Sequence, residues 1–408
     1  MSSHITQKFV NHSLGRTVYK SRYKPASVFD RLSDYLDSEK VGNDEGILLR
    51  ESYRASTRYK QVFGKDLSPY LEDDMKSDGH ETWIVSLENG RIDTDKGSSI
   101  AVFNRHGDIL GDVSFSFVKR PEGGYDHGEV RQNNIFTRPF LTKPKKVQGT
   151  VFSLLTGGGG NANFYHWFVD VLSRLALLRE SRWQHHVDYF LVPNFALSFQ
   201  KESFELLGIP PEKVINGMEF PHIQADRLIV ASHPRTTTYF VPQYITEFLH
   251  EAFTGFNDDI EDDTIGDHPY LYISRGDAPK RKVVNEAEII SRLEKMGFTS
   301  FALSNYSLRQ AIQLFRKAEI IVAPHGAGLT NLLFCTPGAR VLELFSDKFV
   351  NHYFYEFANH LNLLYDYQVG IPLHQKVVKS RYEGIEEDMK IDVEALVAKI
   401  SAAMSISS

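Results

Sequence analysis

From about residue 80 onward, short apolar runs alternate with amphipathic segments. Thr82–Leu87, Ser99–Phe103 and Val113–Val118 are rich in β-branched and aromatic residues. Asn89-Gly90 and His106-Gly107-Asp108 supply turn signals between such runs, so a small antiparallel section is predicted. Val151–Thr156 has the length of a buried strand and runs into Gly157–Gly160. Phe164, Trp167, Phe168, Val171, Leu172, Leu175 and Leu178 then recur at i, i+3, i+4, i+7, i+8, one face of a helix that Asn161 or Asn163 can cap. Strand Tyr189–Val192, helix Leu197–Leu207, strand Arg227–Ala231 and helix Phe240–Phe253 continue the alternation.

The second half repeats it. Tyr270–Ser274, Phe298–Leu303, Glu319–Ala323 and Arg340–Phe345 read as strands. Glu286–Met296 and Leu308–Lys317 read as helices, opened by Asn285 with Glu288 and by Ser307 with Gln310 as capping boxes. Pro324 stops the strand before it, His325–Gly328 turns, and Leu329–Phe334 reads as a short helix. Phe349–Leu363 and Asp392–Met404 read as later helices, and Pro25–Leu36 as an early amphipathic one. Strands alternating with helices predict parallel, doubly wound sheets. Phe256–Asp267 holds six acidic residues and one glycine and reads as a linker between two domains.

Composition narrows the function classes. The chain has 408 residues, enough for two domains, with 42% hydrophobic and 24% charged residues as in an ordinary globular protein. A net charge of −6 gives no global case for nucleic-acid binding. A single cysteine, Cys335, excludes a disulfide scaffold and a cysteine-based zinc site. Met1–Val10 has no apolar core, and no run nears the roughly 18 apolar residues of a membrane span, so a cytoplasmic protein is expected. Lys20, Arg22 and Lys24 read as a solvated stretch, with contact to an anionic acceptor or membrane surface as the alternative.

Chemistry concentrates at three places. His166, Asp170 and Arg174 lie four apart on the polar side of their helix, so His166 and Asp170 can meet above the glycine loop. A carboxylate beside an imidazole fixes its tautomer and raises its basicity. Arg275, Lys280, Arg281 and Lys282 follow a strand's carboxyl end, where open α/β sheets bind ligands. The turn His325-Gly326-Ala327-Gly328 and the helix after it make an anion site from backbone N–H groups. Glu343, near the end of a buried strand, requires a partner, either a ribose or a neighbouring Arg. Asp93-Thr94-Asp95 matches a metal–diphosphate pattern but reads as a solvated turn. The Gly-x-Gly-x-x-Gly fingerprint of a dinucleotide dehydrogenase is absent.

Pro324-His325-Gly326-Ala327-Gly328-Leu329-Thr330-Asn331, continuing to Phe345, resembles the signature of glycosyltransferase family 61. Two further stretches match it: Asn163-Phe164-Tyr165-His166 with Asp170, and Tyr272-Ile273-Ser274-Arg275 with Arg281 and Asn285-Glu286. The resemblance covers Val151 to Phe345, with Trp167 standing where some members carry an acid. It implies a GT-B type α/β fold, two Rossmann-like domains facing a cleft, with a small β-rich N-terminal section. The layout expected is an extension over 1–75, an acceptor domain over 76–258 and a donor-binding domain over 268–408, with one C-terminal helix crossing back to the first domain.

The implied activity is inverting, metal-independent transfer from a nucleotide-sugar, UDP-linked, to a glycan or lipid-linked glycan in surface or capsular polysaccharide synthesis. The donor is a substrate, and no cofactor is implied. The bacterial side of the family is favoured, at the inner face of the membrane. His166 with Asp170 would be catalytic, either His166 as base or Asp170 itself. Arg275, Arg281, His325, Gly326, Ala327, Gly328, Leu329, Asn331 and Glu343 would bind the donor, though Asn331 would equally tie the turn together. Gly158, Gly159 and Asn163 would form an acceptor-side loop. The rival from another class is a non-catalytic nucleotide- or glycan-binding protein, against which the His166/Asp170 pair argues.

Overall fold

The computed structural model describes residues 23–58, 74–79, 81–119, 125–235, 240–255, 265–371, 373 and 384–405. Lys20, Arg22 and most of the acidic stretch expected as a linker lie outside these residues. Four parallel strands form the centre of the first half: β1 (Lys145–Ser153), β2 (Tyr189–Val192), β3 (Val214–Asn216) and β4 (His222–Ala231), in the order β4-β1-β2-β3. Five more form the second: β5 (Tyr270–Ile273), β6 (Thr299–Phe301), β7 (Ile320–Pro324), β8 (Arg340–Phe345) and β9 (Leu364–Val369), in the order β6-β5-β7-β8-β9.

The second sheet is wholly parallel. Its order reverses between β5 and β7, which creates a topological switch point with a crevice at their carboxyl ends. Strand residues alternate in facing. Tyr272, Val322, Leu342 and Leu344 pack with Ile289, Leu293, Leu396 and Ile400 on one side. Leu271, Ile273, Ile321 and Val341 pack with Ile312, Phe315, Leu332 and Phe357 on the other. Both faces are covered, so Ile320–Pro324 is buried throughout, as its unbroken apolar run requires.

The first sheet departs from expectation. Thr82–Glu88 and Arg91–Thr94 pair antiparallel with β4, so the antiparallel section and the parallel strands are one sheet. Among the described residues, β1 to β4 and the short pair Val28–Phe29 with Ile109–Leu110 are parallel and the sheet's other pairings are antiparallel, and the loop 217–221 joins β3 to β4 without a helix. Asp93 corrects the solvated-turn reading. It is buried on strand Arg91–Thr94 and paired with Arg138, while Asp95 accepts the Gly97, Ser98 and Ser99 N–H groups at 2.8–2.9 Å and caps its loop.

Other boundaries also shift. Pro25–Leu36 is a strand, Val28–Phe29, followed by helix Leu32–Leu36. Asn285 stands at the N-cap of helix Glu286–Glu294 as expected, but its side chain brackets the backbone of Ile391 instead of the helix N–H groups, while Ser307 with Gln310 forms the expected capping box of Leu308–Lys317. Of the two late helices, Tyr353–His360 packs against the first half through Tyr165 and Thr246. Val393–Ser405 stays on the far face of the second sheet, with Arg292 gripping Glu394 at 2.5 Å.

One hydrophobic core joins the halves. The rings of Phe168, Phe253 and Phe334 are fully buried and lie 5.1–5.9 Å apart. Phe334→Ala is expected to cost about 3–5 kcal/mol. Urea unfolding should shift to a lower midpoint and remain one transition; two separate transitions would show halves that fold independently.

Candidate functional site

The glycine loop after β1 positions the first wall. Gly158–Asn161 forms a 3-10 turn, and Asn161 is held by Asn194 and Gln200 on its carbonyl. Gly157 and Gly160 are packing positions. A Cβ on Gly157 would sit 2.2 Å from the Phe117 ring, and one on Gly160 2.6 Å from Thr156. Asn163 caps the helix, its side chain accepting the His166 N–H at 3.3 Å.

The helix does not continue as the 3.6 period predicts. Phe164–His166 passes into a π-helical turn, Trp167–Leu172, before Arg174–Arg179 resumes. Such insertions often mark functional sites. The extra residue takes Arg174 off the His166/Asp170 face. Its guanidinium instead donates to the carbonyls of Ala231 and Ser232 at the end of β4. Trp167 turns into the core and donates to Ser203 at 2.9 Å.

Asp170 is buried and bound three times. Arg235 donates from Nε to Oδ1 at 2.5 Å and from Nη2 to Oδ2 at 2.8 Å, a two-pronged grip. His166 Nδ1 lies 2.6 Å from Oδ2. Burial opposes the charge on Asp170, yet Arg235 and then His166 outweigh it and hold the carboxyl well below its ordinary range. Asp170 is therefore a fixed anion, suited to orienting His166 and unsuited to taking a proton. With Nδ1–H assigned toward Asp170, His166 presents a lone pair on Nε2. Its side chain is 34% exposed, and that of Asp170 only 7%.

Arg235 was not foreseen. Its signal is the one that singled out Arg275: a basic residue a few positions past a strand's carboxyl end.

The second wall lies at the switch point. The Arg275 guanidinium rests on Gly326, where a Cβ would sit 1.9 Å from Nη1, so the glycine makes room for it. Glu286 holds the loop by accepting the Arg275 backbone N–H and the Tyr272 hydroxyl, both at 3.1 Å. Arg281 has been pulled down to about 10 by burial and by the like charge of Arg275. Both guanidinium Nε atoms are buried and have no hydrogen-bond partner. Among the described residues, no carboxylate is hydrogen-bonded to either guanidinium.

His325 and Glu343 correct the expected donor contacts. Glu343 is fully buried, with its oxygens on His325 Nδ1 at 2.5 Å and the Tyr365 hydroxyl at 2.6 Å. Burial pushes its pKa up to about 8, against Tyr365 and Arg281. His325 Nε2 accepts from Asn351 Nδ2 at 3.0 Å, and the ring stacks on Phe345. With both nitrogens occupied and the residue buried, His325 braces the turn instead of facing a ligand, and no ribose is needed to satisfy Glu343.

The rest of the turn divides similarly. Leu329 is a core residue whose N–H donates to Gly326 at 2.9 Å, so it offers no phosphate contact. Ala327 and Gly328 open the 3-10 helix Ala327–Phe334, where the first N–H groups have no carbonyl within the helix. Asn331 ties the turn through Gly328 at 2.7 Å and keeps Oδ1 without a partner.

The two walls converge. Helix Phe164–His166 lies against Ala327–Phe334. Tyr165 carries Arg235 over its ring at 5.6 Å and stacks on Tyr353, whose ring lies 6.4 Å from that of His325. The Tyr165 and Tyr353 rings thus link the His166 pair to the glycine turn. Among the described residues, no group of three or more His, Cys, Asp or Glu is placed to hold a metal ion.

Residues 164–342 match the family model Glycosyltransferase 61. That segment contains His166, Asp170, Arg235, Arg275, Arg281 and the turn at His325, while the glycine loop, Asn163 and Glu343 lie outside it. A beta-1,2-xylosyltransferase of Oryza sativa subsp. japonica is 27% identical over 256 residues, 57% of this chain and 44% of its own length. Protein O-linked-mannose beta-1,4-N-acetylglucosaminyltransferase 2 of Homo sapiens and of Mus musculus is 30% and 29% identical over 106 residues, 25% of this chain and 17% of the relative. The chain spans less than half the length of these relatives. Over residues 164–342 the chain is thus similar to glycosyltransferase family 61.

Asp170→Asn leaves Arg235 buried without its countercharge and is expected to cost about 3–5 kcal/mol near neutral pH. The folded pKa of Asp170 is depressed, so the wild type holds this stability above the unfolded value of 3.8 and loses it as pH falls through the folded value. Urea unfolding at about pH 7 and about pH 3 should show the gap between the two proteins narrowing. An equal gap at both would show that the Asp170 charge is not what stabilises the fold.

Proposed function

We propose that this chain is an inverting, metal-independent glycosyltransferase that takes a nucleotide-sugar, UDP-linked, as donor and a glycan or lipid-linked glycan as acceptor. The observation that carries the reading is the adjacent pair Arg275 and Arg281. Two like charges half-withdrawn from water, each with a buried and unpartnered Nε, are costly until an anion joins them. A diphosphate has the charge and the oxygens to do so. The first N–H groups of helix Ala327–Phe334, which have no carbonyl within the helix, extend the same cradle.

His166 supplies the other requirement. Its Nε2 would take the acceptor hydroxyl's proton, with Asp170 fixing the tautomer and stabilising the imidazolium that forms. The diphosphate leaves onto Arg275 and Arg281, which replace the charge a metal would bring. Both kinds of relative are named for β-linked products. An α-linked donor reaches a β-linked product by net inversion, and a single base serves that course. In this reading the first half is the acceptor side and the second the donor side of a GT-B type pair, divided near 258–268. Surface or capsular polysaccharide synthesis at the inner membrane face, by a bacterial-type member, is the setting we propose.

Calorimetric titration with UDP in excess EDTA should show binding, weakened about ten- to a hundredfold by Arg275→Ala or Arg281→Ala. Unchanged affinity in both variants would remove the basic loop from the site. Binding that requires added manganese would overturn the metal-free reading.

His166→Ala should keep UDP affinity and lose about 10²–10⁴ in transfer rate at saturating donor. Asp170→Asn should cost transfer less than His166→Ala does. Transfer by His166→Ala within about threefold of wild type would place the base elsewhere.

A further inference from the structure

Arg281 has a left-handed backbone, φ 58°. A residue with a Cβ adopts that conformation only where its surroundings impose it. The residues that follow it are fastened to a distant stretch of chain. Lys282 N–H donates to Asp388 Oδ1 at 2.8 Å, and the Lys282 carbonyl accepts the Met389 N–H at 2.8 Å. Val284 N–H donates to the Met389 carbonyl at 2.9 Å, and Val283 and Met389 form a parallel bridge.

The segment that provides these partners is itself anchored. Met389 and Ile391 are buried in the core on the far face of the second sheet. The Lys390 carbonyl accepts the Ile371 N–H at 2.7 Å, just past β9. Gly384 lies so close to Lys348 that a Cβ there would sit 2.3 Å from its carbonyl oxygen. Residues 384–391 thus run past the ends of β8 and β9 and reach the loop that carries Arg281. Two side chains of this segment flank Arg281: Glu386 pairs with Lys280 before it, and Asp388 accepts the backbone N–H of Lys282 after it.

We propose that Asp388 is a positioning residue for the donor diphosphate: by accepting the Lys282 N–H it fixes the left-handed turn that aims Arg281 into the crevice. It touches no substrate and acts through Arg281. The proposal rests on the reading of Arg275 and Arg281 as the diphosphate cradle. Without the bond, Arg281 must be ordered when the anion binds, and that cost appears as lost affinity.

The test is calorimetry with UDP and, separately, inorganic pyrophosphate, on the full chain well below its melting temperature. Asp388→Ala should weaken both ligands about three- to tenfold. Asp388→Asn keeps an oxygen that accepts the same N–H and should bind like wild type. In an Arg281→Ala background, Asp388→Ala should add nothing, because the group it positions is gone. A merely structural role would leave no such non-additivity. Wild-type affinity in Asp388→Ala, equal weakening in Ala and Asn variants, or the same factor in the Arg281→Ala background would each overturn the proposal. If Arg281→Ala itself binds both ligands like wild type, the cradle reading fails, and this proposal with it.

Discussion

A carboxylate taken out of water needs an opposite charge held at bonding distance, and the first wall of the site is built around that need at Asp170. Arg235 meets it with two hydrogen bonds, so it must arrive at one place in one orientation. The π-helical turn contributes by taking Arg174 away. Arg174 then ties down the carbonyls of Ala231 and Ser232, which fixes the end of β4 and the segment that delivers Arg235. His166 inherits its orientation from the same carboxylate. A surface imidazole acquires a fixed tautomer because the charge behind it cannot move.

The two walls balance their charges in opposite ways. Asp170 and Arg235 neutralise each other internally. On the second wall, the polar network of Tyr365, Glu343, His325 and Asn351 is also closed upon itself, each bond made between protein groups. It shapes the turn and has little left to offer a ligand. Arg275 and Arg281 differ: they lie near enough for their like charges to oppose each other, and each keeps a buried Nε without a partner. A chain that satisfies so many buried groups but leaves these two together directs attention to what joins them from outside.

Much of the second half was legible because its strands are buried on both faces and read as unbroken apolar runs. Ile320–Pro324 and Arg340–Phe345 needed only that signal. The first half hid more. His222–Arg227 is polar in sequence yet forms the first part of β4, because its neighbours are the equally polar Arg91–Asp93. Leu364–Val369, an edge strand, carries polar residues in its run and gives no unbroken apolar signal. The His166–Asp170 pairing followed from helical spacing, but the same spacing misassigned Arg174, since a π-turn has no signature in periodicity. His325 and Glu343 were rightly read as out of place in a turn and a strand. Their being partners of each other depends on β7 and β8 lying side by side, a fact of topology.

The shared core bears on how the walls could work together. Phe168, Phe253 and Phe334 bind the halves on the apolar side of the seam, and Tyr165 with Tyr353 and Phe357 continues the contact toward the site. Domains joined by a small polar interface move readily, whereas a large apolar one opposes motion, because separation would expose the rings to water. The distance between His166 and the paired arginines is then set by aromatic packing more than by closure around a ligand. Such a site gains from groups already aimed before binding, since ordering them afterwards reduces affinity. The grip of Arg235 on Asp170 and the strained backbone of Arg281 have this in common. Each fixes one side chain before binding, where a flexible one would have to be ordered as the ligand binds.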